Sequence, residues 1–183
     1  MNMSTHNDSF DSERSTIDES EYDSTLPSLP FPEYKYLPSA MATVLSKVIS
    51  LSTDTQSNKI SHFTASQIPS ISIEDYLERI LYYARPEPST LICSLIYIDR
   101  LCSVGKITLT NFNVHRVIFT SVFLSIKYNE DEKYKIDYYA QIGGMSVKEI
   151  LVLESEFVSR VDFNFYINEE EYKKYSDYIK TII

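Results

Sequence analysis

The segment from about Thr110 to Lys127 constrains the fold of this chain more than any other part of it. Its apolar residues are Phe112, Val114, Val117, Ile118, Phe119, Val122, Phe123, Leu124 and Ile126. In a helix these residues are distributed around the whole circumference and leave almost no polar face, so such a helix must be enclosed by other elements. The segment therefore predicts a central helix, with Thr110 as its N-cap, packed among further helices.

Glycine is scarce, since the 183 residues contain only Gly105, Gly143 and Gly144. A β-rich domain needs many tight turns, and those turns commonly use glycine, so the composition favours helices joined by short loops. The apolar periodicity agrees with this interpretation. It predicts an all-α fold with helices at about 39–52, 72–84, 88–103, 110–127, 137–142, 146–161 and 168–181.

Polar residues mark the starts of three of these helices. N-caps are predicted at Ser72 and Ser146, because each is followed three residues later by an acid, Asp75 or Glu149, as in a capping box. The last helix is predicted to begin at Asn168, another residue that caps helices well.

The negative charge of the chain is concentrated at its start. Seven of the 26 acids and one of the 17 basic residues lie in residues 1–30, so this segment carries −6 of the formal net charge of −9. It is rich in Ser and Thr and nearly devoid of apolar residues, which predicts a disordered acidic tail over residues 1–36. The acidic balance argues against nucleic acid and membrane surfaces as non-specific partners.

Several functional classes find no support in the sequence. There is no GxxxxGK[ST], GxGxxG, HExxH or GxSxG motif, so we expect neither a catalytic site nor a cofactor or metal. No apolar run is long enough to span a membrane, and no secretory h-region is found. Cys93 and Cys102 lie in apolar runs without metal-ligand spacing, which predicts a reducing compartment, cytoplasm or nucleus.

Charged residues inside apolar segments are candidates for structural or binding roles. Asp99 lies in the run 95–101 and needs a partner if it is buried, for which Arg79 is the predicted structural ion pair. Lys127 ends the most apolar helix, and Glu154 lies in another apolar helix. From the residues alone, these two charges either face a partner or are solvated at the edge of the core.

Five short segments carry a family resemblance. They are residues 71–80 (ISIEDYLERI), 97–101 (YIDRL), 113–116 (NVHR), 138–144 (YYAQIGG) and 153–157 (LESEF). Each segment is weak alone, but together they occur in family order with family spacing over about residues 60–167. On these segments the chain resembles the cyclins, and more closely the single-box P-type and U-type cyclins.

The resemblance implies a single five-helix cyclin box whose third helix is central. The box helices would span about 72–161, within a domain at 37–167 that includes one preceding helix, and residues 168–183 would form a C-terminal helix. The Met-Arg-Ala-Ile-Leu stretch with which cell-cycle cyclins dock substrates is absent, so docking by that route is not expected.

Cyclins are regulatory subunits rather than enzymes, so the resemblance implies a heterodimer with a cyclin-dependent protein kinase, activated through its C-helix. Lys127 and Glu154 match the family positions that contact the kinase. The matching apolar contact positions are Leu124, Tyr128, Val158 and Phe163. As a further hypothesis from P-type relatives, Glu156 engages the kinase activation segment. Asp99 matches a family residue with an internal role.

One alternative keeps the same fold. The chain could be a cyclin-fold helical adapter or a transcription-related scaffold that does not activate a kinase. Such proteins usually have two boxes and a basic surface, and residues 31–183 carry a charge of only −3 without such a surface.

Overall fold

The computed structural model describes residues 35–52, 61–131 and 133–183. Within them the chain forms seven α-helices and no strand, which confirms the all-α prediction. The helices are α1 (Leu37–Leu51), α2 (Ile73–Ala84), α3 (Pro88–Ser103), α4 (Val114–Asn129), α5 (Ile136–Gly143), α6 (Val147–Arg160) and α7 (Glu169–Lys180). The predicted tail lies outside the described residues, except for residues 35 and 36, which form a 3₁₀ turn before α1.

The central position predicted for the most apolar helix is confirmed. Every residue of α4 from Val114 to Ile126 except Arg116 is buried, and α4 packs against α2, α3, α5 and α6. Two of the buried residues are small serines, and the Ser125 hydroxyl donates to the carbonyl of Thr90 on α3 at 2.7 Å. These serines allow α3 to approach α4 closely while their hydroxyls remain hydrogen-bonded.

The start of α4 differs from the prediction. Thr110 is not the N-cap, since the helix begins one turn later, after Asn113. The Asn113 side chain accepts from the Thr110 backbone N–H at 2.8 Å and donates to the carbonyl of Thr108 at 2.8 Å. These two bonds hold residues 108–113 in a turn, because an asparagine side chain competes well with helical bonding.

The other predicted helix starts are confirmed. The Ser72 hydroxyl accepts from the Asp75 N–H at 3.0 Å, and Ser146 forms a full capping box with Glu149. The Asn168 side chain caps α7 by accepting from the Glu171 N–H at 2.8 Å. Because capping satisfies N–H groups that have no partner within the helix, these residues fix where α2, α6 and α7 begin.

Two helices flank the other five. Helix α1 packs against α2 and α7, and α7 also packs against α3. Met41 of α1 and Ile179 of α7 are fully buried, so both helices contribute to the common core. In the part of the chain that the structure describes, no helix is long and apolar enough to cross a membrane.

The predicted ion pair between Asp99 and Arg79 does not form among the described residues. Arg79 lies on the side of α2 that faces α5 and donates to the carbonyl of Gln141 at 3.0 Å. Asp99 lies on the side of α3 near α7, where burial and then the proximity of Asp99 raise the pKa of the Tyr175 hydroxyl. The prediction was wrong because these two side chains point to different neighbours.

Candidate functional site

Lys127 and Glu154 contact each other in the structure. Lys127 lies in the last turn of α4 and Glu154 in the middle of α6, and the lysine Nζ donates to the glutamate Oε1. The Nζ atom also lies 5.3 Å from the centre of the Phe123 ring, within range of a cation–π interaction. The two residues are therefore one ion pair rather than two separate solvated charges.

Further apolar side chains lie along α4 and α6 near the positions of this ion pair. On α4, Leu124 is buried and Tyr128 is exposed. On α6, Val158 is half-buried and follows Glu154 by one turn, and Phe163 comes after the helix with 74% of its surface exposed. We call the following residues the α4–α6 face: Leu124, Lys127, Tyr128, Leu151, Glu154, Val158 and Phe163.

Leu151 was missing from the predicted contacts and belongs to this face. It precedes Glu154 by three residues and Val158 by seven, so helical geometry puts all three on one side of α6. The side chain is 51% exposed, unlike that of Leu153, which is buried in the core. This spacing is visible in the sequence and could have identified Leu151 as a member of the face.

The turn after α6 brings Phe163 to the surface. The N–H of Phe163 donates to the carbonyl of Val158 at 3.0 Å and that of Asp162 to the carbonyl of Ser159 at 3.3 Å, which is a Schellman motif. Asp162 and Phe163 have φ angles of 52° and 57°, a region that usually takes glycine. Each such residue costs on the order of 1–3 kcal/mol, so the surrounding contacts must hold the turn in place.

Aromatic packing supplies part of that support. The ring of Phe165 packs edge-to-face on Tyr97 of α3, with 5.0 Å between ring centres, and lies 5.9 Å from Tyr128 of α4. The Tyr97 hydroxyl donates to the carbonyl of Phe165 at 3.0 Å, and burial raises the pKa of Tyr97 to about 12. The segment after α6 is thereby joined to both α3 and α4.

Arg100 holds the same segment from the side of α3 and α7. Its guanidinium donates to the carbonyls of Asn164 and Tyr166, each at 2.8 Å, and pairs with Glu171 of α7 at 2.7 Å. The apolar run of α3 predicts a role for the neighbouring Asp99 and none for Arg100. A cation at the end of an apolar helix needs partners, and this signal could have identified it.

Glu156 contacts other residues of the chain through a carboxylate that is only 12% exposed. It accepts from the Ser61 hydroxyl at 3.0 Å, from the His62 N–H at 2.9 Å and from Arg160 Nε at 2.7 Å, and it contacts His62 Nδ1 at 2.8 Å. Burial alone would raise the pKa of Glu156, but these hydrogen bonds together lower it. These bonds give Glu156 a role in the fold, and its engagement of a kinase activation segment stays a prediction.

Comparison with known proteins gives the family. The sequence matches the family model described as Cyclin over residues 12–165, which is more than half of the chain. The chain belongs to the cyclin family. In the predicted arrangement of the box, α2–α6 correspond to its five helices, the central α4 is the third of them, and α1 and α7 flank the box.

The most similar proteins among the comparisons are plant U-type and P-type cyclins, which agrees with the predicted branch of the family. Cyclin-U4-1 of Arabidopsis thaliana is 35% identical over 69% of this chain and 63% of its own length. Cyclin-U2-1 of the same plant is 36% identical over 62% of this chain and 51% of its own length. Cyclin-P3-1 of Oryza sativa subsp. japonica is 29% identical over 93% of this chain and 71% of its own length. The chain thus spans less than two thirds of the two Arabidopsis cyclins.

Proposed function

We propose that this cyclin is the regulatory subunit of a cyclin-dependent protein kinase and binds the kinase C-helix through the α4–α6 face. The observation that carries the proposal is the ion pair that joins α4 to α6 through Lys127 and Glu154. Exposed apolar side chains lie on the same two helices, at Tyr128 and Leu151, and just after α6, at Phe163. Exposed apolar groups clustered around charges are typical of protein-binding surfaces. Family membership supports a kinase as the partner.

The ion pair can serve such an interface without being broken. An ammonium group has three donors and a carboxylate has two acceptor oxygens, so each keeps hydrogen-bonding capacity after the two have paired. The pair can therefore receive backbone groups of the kinase next to the C-helix, while the apolar side chains pack on the helix itself. The charges would set the orientation and the apolar contacts would supply most of the affinity.

Activation follows from selective binding. A protein kinase is active only when its catalytic lysine pairs with a glutamate of the C-helix, which requires that helix to be turned inward. A cyclin that binds the inward conformation more tightly shifts the population toward it. In this mechanism the cyclin contributes a binding surface and no catalytic group.

Binding measurements against a panel of recombinant cyclin-dependent kinases test the surface. We expect Lys127→Ala and Glu154→Ala each to make the free energy of binding to the cognate kinase less favourable by about 2–5 kcal/mol, since each leaves one interfacial charge unpaired. Lys47→Ala on α1 and Glu78→Ala on α2 are matched controls, because both residues are exposed and lie away from the α4–α6 face. Unchanged affinity in the double variant Lys127→Ala, Glu154→Ala would refute the assignment of these residues.

Kinase assays test the regulatory role separately. Addition of the wild-type cyclin to its cognate kinase should raise peptide phosphorylation, and the Glu154→Ala variant should need a higher concentration for the same effect. Binding without any stimulation would favour a cyclin-fold adapter instead.

We expect the complex to act in a reducing compartment, the cytoplasm or the nucleus. Cys93 and Cys102 are both free thiols. Burial raises the pKa of Cys93 to about 11 and that of Cys102 to about 12, so neither carries much reactive thiolate at neutral pH.

A further inference from the structure

We propose that Arg100 is a positioning residue for partner binding, because it holds residues 164–166 in place and thereby keeps Phe163 on the α4–α6 face. This inference rests on the proposed function for its effect on affinity. Its effect on the segment after α6 concerns the free protein and can be measured alone.

The conformation at Phe163 needs support on both sides. Asp162 and Phe163 both have positive φ angles, and neither is glycine. Backbone conformations of this kind persist only where the surrounding contacts over-determine them. The Schellman bond from the N–H of Phe163 to the carbonyl of Val158 supplies the contact on the helix side.

Arg100 supplies contacts on the other side. One terminal nitrogen donates to the carbonyl of Asn164 and the other to the carbonyl of Tyr166, so the guanidinium spans both neighbours of the buried Phe165. The second nitrogen also pairs with Glu171 at the start of α7. The side chain of Arg100 is only 12% exposed, which protects these bonds from competition by water.

Only an arginine fits this arrangement. The planar guanidinium offers donors in fixed directions from two terminal nitrogens, whereas a lysine offers one nitrogen at the end of a flexible chain. Arg100→Lys therefore keeps the charge beside Glu171 but cannot reach the carbonyls of Asn164 and Tyr166 from two nitrogens at once.

The consequence for binding acts through Phe163. This side chain is 74% exposed in the free protein, so its own packing contributes little to holding it in one place. A segment that is already fixed loses less conformational entropy when a partner binds. Loss of the Arg100 contacts should therefore weaken binding only as far as Phe163 contributes to it.

Hydrogen–deuterium exchange on the free protein is the first test. We expect Arg100→Lys to raise amide exchange at residues 162–166 and to leave α4 unchanged. Arg116→Lys is the matched control. Arg116 also pairs with a glutamate, Glu149, and also donates to a backbone carbonyl, that of His62, but it does not contact residues 162–166. Unchanged exchange at residues 162–166 in Arg100→Lys would overturn the proposal.

A double-mutant cycle with the cognate kinase is the second test. Arg100→Lys should weaken kinase binding about tenfold, because the backbone at Phe163 must then be ordered when the partner binds. In a Phe163→Ala background the same substitution should have an effect of less than about twofold. An equal effect in both backgrounds would mean that Arg100 merely stabilises the fold, and it would overturn the positioning role.

The two tests separate this inference from the proposed function. If no kinase binds the wild-type protein, the proposed function fails, while raised exchange at residues 162–166 still supports the role of Arg100 in holding the segment. Should Arg100→Lys fail to fold, Glu171→Gln carries the same two measurements, because it weakens one contact of Arg100 and leaves the arginine in place.

Discussion

Glu154 and Glu156 are the same residue type on the same helix, two positions apart, and they lie in opposite environments. Glu154 pairs with Lys127 among exposed apolar side chains. Glu156 binds Ser61, His62 and Arg160 of the same chain. Two residues correspond to about 200° around an α-helix, so the two carboxylates point to nearly opposite sides of α6.

The difference separates recognition from stability within α6. In the proposed function, one side of the helix presents a charge and apolar groups to the kinase. The other side joins the helix to Ser61 and His62, in the segment before α2. Substitutions on the two sides should therefore change different measurements, affinity on one side and the free energy of unfolding on the other.

The largest effect is expected from reversing the ion pair on the α4–α6 face. The double variant Lys127→Glu, Glu154→Lys keeps an internal ion pair, and an exposed pair contributes only about 0–1 kcal/mol to stability, so urea unfolding should change little. Kinase affinity should remain weaker than wild type by about 2–5 kcal/mol, because the charges now oppose the partner's groups. Recovery of wild-type affinity would show that only the internal pair matters.

Glu156→Ala should have the next largest effect, and on the other measurement. The substitution removes the acceptor for Arg160 and for two donors of the segment at Ser61 and His62, so we expect a loss of about 2–3 kcal/mol in the free energy of unfolding. Urea denaturation gives this value, and Glu154→Ala is the matched control, with a loss below about 1 kcal/mol. Equal losses in the two variants would contradict the division of α6.

Much of the fold could be predicted because local rules and packing agree. The apolar wheel of α4 required a central helix, and Ser146 with Glu149 marked the start of α6 through a capping box. The start of α4 was placed one turn early because Thr110 is a good cap in isolation. The Asn113 side chain, which donates to the Thr108 carbonyl and accepts from the Thr110 N–H, decides that boundary.

Part of the candidate site could be predicted from the family resemblance. The resemblance identified Lys127 and Glu154, and the structure brings them into contact. It did not indicate the role of Arg100, whose partners lie more than 60 residues away along the chain. It also could not show that Asp162 and Phe163 adopt positive φ angles, because no glycine marks that turn.

Leu151→Ala should have a smaller effect on kinase affinity, and Leu153→Ala is its counterpart in the core. Leu151 is half-exposed on the α4–α6 face, whereas Leu153 is buried. Leu151→Ala should lower kinase affinity by about 1 kcal/mol and leave the unfolding free energy nearly unchanged, while Leu153→Ala should destabilise the fold by about 2–5 kcal/mol. Isothermal titration calorimetry measures the affinity, and urea denaturation measures the free energy of unfolding. A large stability loss in Leu151→Ala would remove this residue from the face.

The smallest expected effect is the pH dependence of the contribution of Glu156 to stability. Burial acts to raise its pKa, but the bonds from His62, Arg160 and Ser61 outweigh it, so the folded-state pKa lies below the ordinary value of 4.5. A carboxyl group with a lowered pKa stabilises the fold above its unfolded pKa, and this contribution is lost as the pH falls through the folded pKa. The stability difference between wild type and Glu156→Gln should therefore be constant near neutral pH and shrink below about pH 4.5. Urea denaturation of both proteins across this range measures the difference.

A difference that grew on acidification would mean that the carboxyl group is stabilised in its protonated form, and the internal role of Glu156 would need a different physical basis.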